Sequence, residues 1–166
     1  MHLTPGEQDS FRLVMSQFCT GVVIVASATD GQAFGLTCQA FSALSLDPPL
    51  VALGVGRGST TWPLIRRAGR FCISILSSDQ QELALRFAVS GGPKFSGVDW
   101  LESPGGSPII PGCVAWVECQ MESQIATGDH YLVVGAVEAL GTDELDSAPL
   151  VFFRRAFGGV SVAGVA

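Results

Sequence analysis

Short apolar runs separated by turn signals dominate the sequence, and they limit the folds that the chain can adopt. Residues 21–37 contain two strand-like runs around Asp30-Gly31, a dipeptide that is typical of two-residue hairpin turns. Longer strand-like runs occupy residues 113–126 and 130–141. Helices do not alternate regularly with these strands, which argues against a parallel βαβ sheet. The pattern predicts a mainly β fold with some helices (α+β), arranged as a closed or nearly closed antiparallel barrel with helices at its ends.

Three segments between the strands have helical patterns. Apolar side chains recur at helical spacing in residues 9–19, namely Phe11, Val14, Met15 and Phe18. Residues 59–69 begin with hydroxyl groups just ahead of a proline and end at a glycine, which indicates a second helix with a hydroxyl N-cap. Residues 77–88 contain Ser78 and Gln81 at capping-box spacing, so they predict a third helix.

The composition limits the partners that the chain can have. Its 166 residues suit one domain over residues 1–166. Apolar residues make up 48% of the chain and charged residues only 14%, so part of the apolar surface is expected to lie in a homodimer interface. The net charge of −6 argues against nucleic acid, because binding to phosphates needs clustered cations. The local cluster Arg66, Arg67 and Arg70 is interpreted as the outer face of the second helix.

The five cysteines indicate a protein of a reducing compartment. Their number is odd and they form no C-x-x-C pair, which argues against a disulfide framework. Because only one internal histidine accompanies them, a zinc site is not expected either. The N-terminus has no basic segment followed by an apolar stretch, and no apolar run reaches the ~18–20 residues that a membrane span needs. We therefore expect a cytoplasmic protein without a metal or a membrane partner.

Two clusters of small polar residues are the first candidates for chemistry. The strand-like segment 35–51 is interrupted by polar side chains, namely Thr37, Gln39, Ser42 and Ser45. This cluster is typical either of a polar edge strand or of a wall that lines a planar heterocycle. The second cluster, Ser59–Thr61, precedes a predicted helix, where free N–H groups and the helix dipole favour a phosphate, although N-capping alone also explains it.

The remaining candidate is His130, which follows Gly128 and Asp129 in a polar break between two apolar runs. An imidazole at the corner of a hairpin is either a solvated turn residue or a group that meets a second substrate. Asp129 can orient the imidazole, or it can hydrogen-bond its own backbone in the turn. The sequence contains no G-x-S-x-G, P-loop, H-E-x-x-H or G-x-G-x-x-G motif, so common hydrolase and nucleotide-binding sites are not predicted.

Eight segments, in chain order, resemble the flavin reductase domain family: FRLVMSQFCTGVVIVAS, GLTCQAFSALSLDPPLV, GRGSTTWPLI, FCISIL, LALRFA, KFSGVDW, AWVECQ and GDHYLVVG. They extend from about Phe11 to Phe157, and the LSLDPP turn and the GDH triplet are the most specific of them. Members of this family are small NAD(P)H-dependent reductases that supply reduced flavin to two-component monooxygenases. The resemblance implies a homodimeric split β-barrel of the FMN-binding type, with the flavin near the subunit interface.

The resemblance also implies roles for particular residues. Contacts to the isoalloxazine ring are implied for Thr37, Cys38, Gln39, Ala40, Phe41 and Ser42, with Ser45 nearby. Contacts to the ribityl chain and phosphate are implied for Arg57, Ser59, Thr60, Thr61 and Lys94. His130 is expected to help place the hydride donor.

The implied function is transfer of a hydride from NADH or NADPH to FMN or FAD, and the reduced flavin then leaves for a monooxygenase partner. Two alternatives remain open from the sequence. One is a split-barrel flavin carrier or sensor without reductase turnover, because a fold does not fix a function. The other is an oxidoreductase that holds its flavin tightly and acts on a different substrate.

Overall fold

The computed structural model of the chain describes residues 8–142 and 146–160. The elements in these residues are three helices and twelve strands: α1 (Gln8–Met15), β1 (Thr20–Gly21), β2 (Val23–Thr29), β3 (Gln32–Cys38), β4 (Phe41–Leu46), β5 (Pro49–Gly56), α2 (Trp62–Ala68), β6 (Arg70–Ile75), α3 (Gln81–Ala88), β7 (Leu101–Glu102), β8 (Pro108–Ile109), β9 (Ala115–Thr127), β10 (His130–Thr142), β11 (Leu150–Phe153) and β12 (Ala156–Gly159). The prediction of a mainly β fold with some helices is therefore confirmed.

Seven antiparallel strands form the main sheet, in the order β3-β2-β6-β9-β10-β5-β4. Strands β3 and β4 are its two edges, although only residues 39 and 40 separate them in the chain. The sheet therefore has to curl until one corner of each edge meets the other. There the N–H of Gly54 donates to the carbonyl of Ala40 at 2.8 Å. Of the predicted closed or nearly closed barrel, the closed form is wrong, because the edge strands are not neighbours in the hydrogen-bonded sheet of the described residues.

Local turn chemistry sets the register of the first hairpin. Asp30 has φ 52° and Gly31 has φ 75°, so both central residues of the turn between β2 and β3 are left-handed. This is the geometry of a type I′ turn, whose twist matches that of the strands beside it. The Asp30-Gly31 prediction is confirmed, and the turn aligns Val23 with Cys38 at the far end of the hairpin.

The curled sheet encloses a core to which strands from both of its halves contribute. Val23 and Val25 of β2 share this cluster with Val51, Leu53 and Val55 of β5, all of them buried. The buried residues of β5 alternate with positions on the opposite face, as the period of two in a strand requires. One face of β5 is thus committed to the core, and the other face is free to form a site.

The helices match the sequence pattern in part. Helix α2 ends at Gly69 with φ 73°, as predicted, but its N-cap residue Thr61 makes no side-chain cap hydrogen bond. The hydroxyl of Ser59 accepts from the N–H of Trp62 at 3.1 Å instead. At α3 the predicted capping box of Ser78 and Gln81 is wrong by one residue. The side-chain oxygen of Gln80 accepts a hydrogen bond from the N–H of Ser77 instead.

Helix α1 ends at Met15, four residues earlier than the apolar pattern predicted. None of its residues is buried, and the apolar side chains that defined its pattern are exposed, from 50% at Met15 to 71% at Phe18 beyond its end. A helix gains most of its stability from packing its apolar face, and α1 presents an apolar surface that none of residues 8–142 and 146–160 buries.

All five cysteines are free thiols, and four of them are buried. Burial raises the pKa of the Cys38 thiol to about 11 and that of Cys119 to about 12, so both stay protonated at neutral pH. In residues 8–142 and 146–160, no helix is long and apolar enough to span a bilayer. In the same residues, no group of three or more His, Cys, Asp or Glu side chains can hold a metal ion.

Candidate functional site

A cavity of about 550 Å³ lies at the corner where the edge of β3 meets β5. Four parts of the chain line it: the end of β3 with residues 39 and 40, the end of β5 with the hydroxyl loop 58–61, the end of α3 with the loop to Lys94, and His130. These parts are far apart in the sequence. The curl of the sheet and the packing of α3 on β3 bring them together.

The wall formed by β5 is almost without side chains. Gly54 and Gly56 occupy the positions of β5 that alternate with the buried Leu53 and Val55. A Cβ atom on Gly54 would lie 2.8 Å from the Cβ of Ala40, which is closer than real atoms approach. The strand therefore turns bare backbone toward the cavity, and a planar ring can approach such a surface closely.

The wall opposite is the end of β3 and its link to β4. The hydroxyl of Thr37 donates to the carbonyl of Ala84 at 2.6 Å, which joins this wall to α3. The thiol of Cys38 lies 3.6 Å from the carbonyl oxygen of Ala40 and 3.4 Å from that of Gly54. These side chains hold the wall in place, so its contacts to a ligand fall to backbone groups and to the exposed Gln39.

The three hydroxyls of the hydroxyl loop all have the same hydrogen-bonding role. Each of its three hydroxyl oxygens accepts a hydrogen bond from the protein: Ser59 from the N–H of Trp62 at 3.1 Å, Thr60 from the N–H of Gly91 at 3.1 Å, and Thr61 from the ammonium of Lys94 at 3.3 Å. Because the oxygens already act as acceptors, their O–H protons are left to donate. Thr60 also lies 3.3 Å from the hydroxyl of Ser90. A row of O–H donors suits the oxygens of a phosphate.

Lys94 is held between three elements. Its ammonium donates to the carbonyl of Phe87 at 2.9 Å, to the carbonyl of Gly35 at 3.2 Å and to the hydroxyl of Thr61. An ammonium has three protons, so these acceptors use all of them. Burial lowers the pKa of Lys94 from its usual value. Lys94 lines the cavity, and it reaches the hydroxyl loop through Thr61.

His130 stands at the rim of the cavity as the first residue of β10. It pairs with Thr127 across the Gly128-Asp129 turn and with Gly56 on the other side, so its backbone is fixed on both sides. Its Nδ1 lies 2.8 Å from a carboxylate oxygen of Asp129. This hydrogen bond is the main cause that lowers the pKa of the Asp129 carboxyl. When the imidazole is neutral and Nδ1–H donates to Asp129, Nε2 is left as an acceptor.

The structure brings nine of the thirteen predicted site residues into this cavity: Thr37, Cys38, Gln39, Ala40, Ser59, Thr60, Thr61, Lys94 and His130. Phe41 and Ser42 line a neighbouring groove of about 590 Å³, which shares Gln39, Ala40 and Gly54 with the first cavity. Ser45 lies further along β4, beside an irregularity in its pairing with β5, and lines neither space.

Arg57 lies outside the cavity where the sequence had placed it. It lines a second cavity of about 330 Å³ together with Arg66, Arg67 and Tyr131. Its guanidinium donates to the carbonyl of Gly128 at 3.2 Å. Ser59 lines both cavities, so the hydroxyl loop separates them.

Two parts of the site escaped the sequence analysis. One is the end of α3, where Phe87, Val89 and Ser90 close the cavity. The other is the pair Gly54 and Gly56, whose signal was the run of glycines at alternate positions in GVGRG. That spacing puts glycines on one face of a strand, but the face toward the site is known only when the core face is known.

Comparison with known proteins identifies the family. The model of the flavin reductase like domain matches residues 15–161. The reductase subunit HsaB of a flavin-dependent monooxygenase from Rhodococcus jostii is 43% identical over 90% of this chain and 76% of its own length. The chain belongs to the flavin reductase like domain family.

Two further relatives show how much of the chain the similarity covers. The FMN reductase (NADH) SmoA of Agrobacterium fabrum is 38% identical over 93% of this chain and 88% of its own. The solved structure of the NADH:FAD oxidoreductase SgcE6 of Streptomyces globisporus, in complex with NAD and FAD fragments, superimposes with a TM-score of 0.92. It is 27% identical and covers 99% of both chains. The similarity therefore includes every element that lines the cavity.

Proposed function

We propose that the protein is an NAD(P)H-dependent flavin reductase that reduces FMN or FAD and supplies the reduced flavin to a partner monooxygenase. The observation that carries this proposal is the shape and polarity of one cavity. A bare backbone wall at Gly54 and Gly56 meets a loop whose hydroxyls are left as donors, and the imidazole of His130 stands at the rim. These features fit a planar ring joined to a phosphate.

The protein's own groups bind the flavin and the nicotinamide, orient them and shield them from solvent. When bound, the flavin supplies the hydride acceptor and the reduced nicotinamide supplies the donor, so no side chain has to act as an acid or base at the nicotinamide carbon. The backbone around Gln39 and Ala40 and the glycines of β5 would hold the ring. The hydroxyls of Ser59, Thr60 and Thr61 would hold the ribityl chain and the phosphate.

His130 is the group that meets the second substrate. With Nδ1–H donating to Asp129, the free Nε2 accepts a hydrogen bond from a donor such as the carboxamide N–H of a nicotinamide. Its Nε2 lies 3.8 Å from where a Cβ on Gly56 would stand, so the imidazole borders the end of the backbone wall, and it is a positioning residue for the nicotinamide.

The proposed assembly is supported by an apolar surface that the described residues leave exposed. Phe11, Val14 and Met15 of α1 and the nearby Phe18 are exposed, which supports a homodimer of one-domain subunits in which the partner covers them. The curled sheet whose edges meet at residues 39 and 40 supports a split β-barrel for each subunit. The free thiols support a cytoplasmic location.

The first experiment measures NADH and NADPH oxidation by absorbance at 340 nm, with purified protein and with or without added FMN or FAD. Turnover that rises with added flavin is expected, because the cavity is open to solvent at the rim where His130 stands. Flavin binding in a fluorescence titration without turnover of either nicotinamide nucleotide would contradict the proposal and favour a carrier or sensor. Turnover of a flavin that copurifies and does not exchange would favour an oxidoreductase with tightly held flavin.

His130→Ala is expected to lower kcat/KM for NADH by about tenfold, the loss of one well-placed hydrogen bond, and to change the Kd for flavin by less than about twofold. Steady-state kinetics gives the first value and calorimetric titration the second. The matched control is Asp129→Asn, which keeps a side-chain partner for Nδ1 and should lose less. Equal losses for NADH and flavin in His130→Ala would show that the imidazole supports the cavity as a whole.

A further inference from the structure

We infer that the second cavity binds the adenylate half of FAD, so that the site prefers FAD to FMN. This inference rests on the proposed function, because it extends the flavin site by one phosphate and one nucleoside. The argument begins with three guanidinium groups, those of Arg57, Arg66 and Arg67, which line one space of about 330 Å³. That volume is at the lower end of the range for small-molecule pockets.

The charge of these arginines is not neutralised within the described part of the chain. The ion pairs found there involve Arg12, Arg70 and His130, and none involves an arginine of the second cavity. The whole chain carries a net charge of −6, so three clustered and unpaired cations are out of keeping with the rest of its surface. A guanidinium matches the geometry of phosphate oxygens with two parallel N–H donors.

The position of the cavity indicates which phosphate it binds. Ser59 lines both cavities, so the arginines begin where the hydroxyl loop ends. The single phosphate of FMN needs only the hydroxyl loop. FAD carries a second phosphate joined to the first through one oxygen, and that phosphate must lie just beyond the loop.

The remaining walls suit a nucleoside. Tyr131 and Pro63 line the same space, and the guanidinium of Arg57 lies 5.8 Å from the centre of the Tyr131 ring. Nucleic-acid bases stack on aromatic rings and on arginine planes. Cations for a phosphate and a stacking surface for a base thus occur side by side.

The test is the Kd of FAD and of FMN, measured by calorimetric titration of wild-type protein and of the double variant R66Q/R67Q. We expect wild-type protein to bind FAD more tightly than FMN. The double variant should raise the Kd of FAD at least about tenfold and that of FMN by less than about twofold, since charge-assisted hydrogen bonds to the second phosphate are lost. Arg12→Gln is the control for charge alone, because Arg12 lies on α1, outside both cavities.

Three results would overturn the inference. One is wild-type protein that binds FMN as tightly as FAD. The second is an equal rise in the Kd of FAD and of FMN in R66Q/R67Q, which would mean that the arginines act only through their overall positive charge. The third is an unchanged FAD affinity with a raised KM for NADH, which would assign the cavity to the nicotinamide nucleotide. Wild-type protein that binds FAD more tightly but oxidises no NADH would leave this inference standing and remove the proposed function instead.

Discussion

Replacing Trp62 by alanine is expected to lower the free energy of unfolding by about 3–5 kcal/mol, the usual cost of removing a buried aromatic side chain. Trp62 is 2% exposed and packs edge-on against Phe71, with ring centres 6.4 Å apart. Its indole N–H donates to the side-chain oxygen of Gln124 at 2.8 Å. Chemical denaturation of the two proteins measures the difference.

Trp62→Ala is also expected to weaken flavin binding in the cavity. Trp62 follows Thr61 directly, and its backbone N–H donates to the hydroxyl of Ser59. Alanine keeps that N–H, so the buried indole anchors the hydroxyl loop only by fixing the position of this backbone. We expect the fraction of Trp62→Ala that is still folded to bind flavin more weakly than wild type. Trp62→Phe is the matched control, because it keeps a ring in the core but loses the N–H donor, at a cost of about 1–2 kcal/mol. A loss below about 1 kcal/mol for Trp62→Ala would contradict an anchoring role.

Lys94→Met is expected to raise the Kd of FMN by about 10- to 100-fold, the value of a hydrogen bond to a charged group, and that of riboflavin much less. Lys94 makes Thr61 an acceptor and so leaves the Thr61 proton to donate to phosphate, which riboflavin lacks. Calorimetric titration of both ligands gives the two Kd values. Equal weakening of FMN and riboflavin would mean that Lys94 only braces the walls at Gly35 and Phe87.

A double-mutant cycle separates action through Thr61 from direct contact with the phosphate. If Lys94 acts through Thr61, Lys94→Met should cost little more in a Thr61→Val background, where the hydroxyl is already gone. Thr60→Val is the matched control, because Thr60 accepts from the N–H of Gly91 and not from Lys94. The two changes should then be additive. Additivity with Thr61→Val as well would favour the direct phosphate contact that the sequence resemblance implies.

Local signals predicted the elements well where the signal and the structure depend on neighbours in the chain. Asp30-Gly31 is one case, because both residues tolerate the left-handed backbone of a type I′ turn. Gly69 at the end of α2 is another. The prediction failed where a competing partner lay close by, or where an apolar pattern had no core to pack against. Gln80 binds the N–H of Ser77, and α1 stops at Met15, since no core holds the apolar pattern in a helix as far as residue 19.

The candidate residues were also found from the sequence, but their arrangement was not. Two clusters of small polar residues and one histidine stood out, and most of them line one cavity. Nothing in the local pattern separates Arg57 from that group. The fold does so, because the Arg57 guanidinium binds Gly128 on the far side of the hydroxyl loop.

By itself, the sequence determined the strands, the turns and the chemical type of each side chain, because these depend on residues close together in the chain. Only the tertiary structure decided which way the hydroxyls of the loop donate. That direction is set by donors from elsewhere, the N–H of Gly91 and the ammonium of Lys94. A hydroxyl can both donate and accept a hydrogen bond. Once a protein group donates to its oxygen, its proton is left to donate to a ligand.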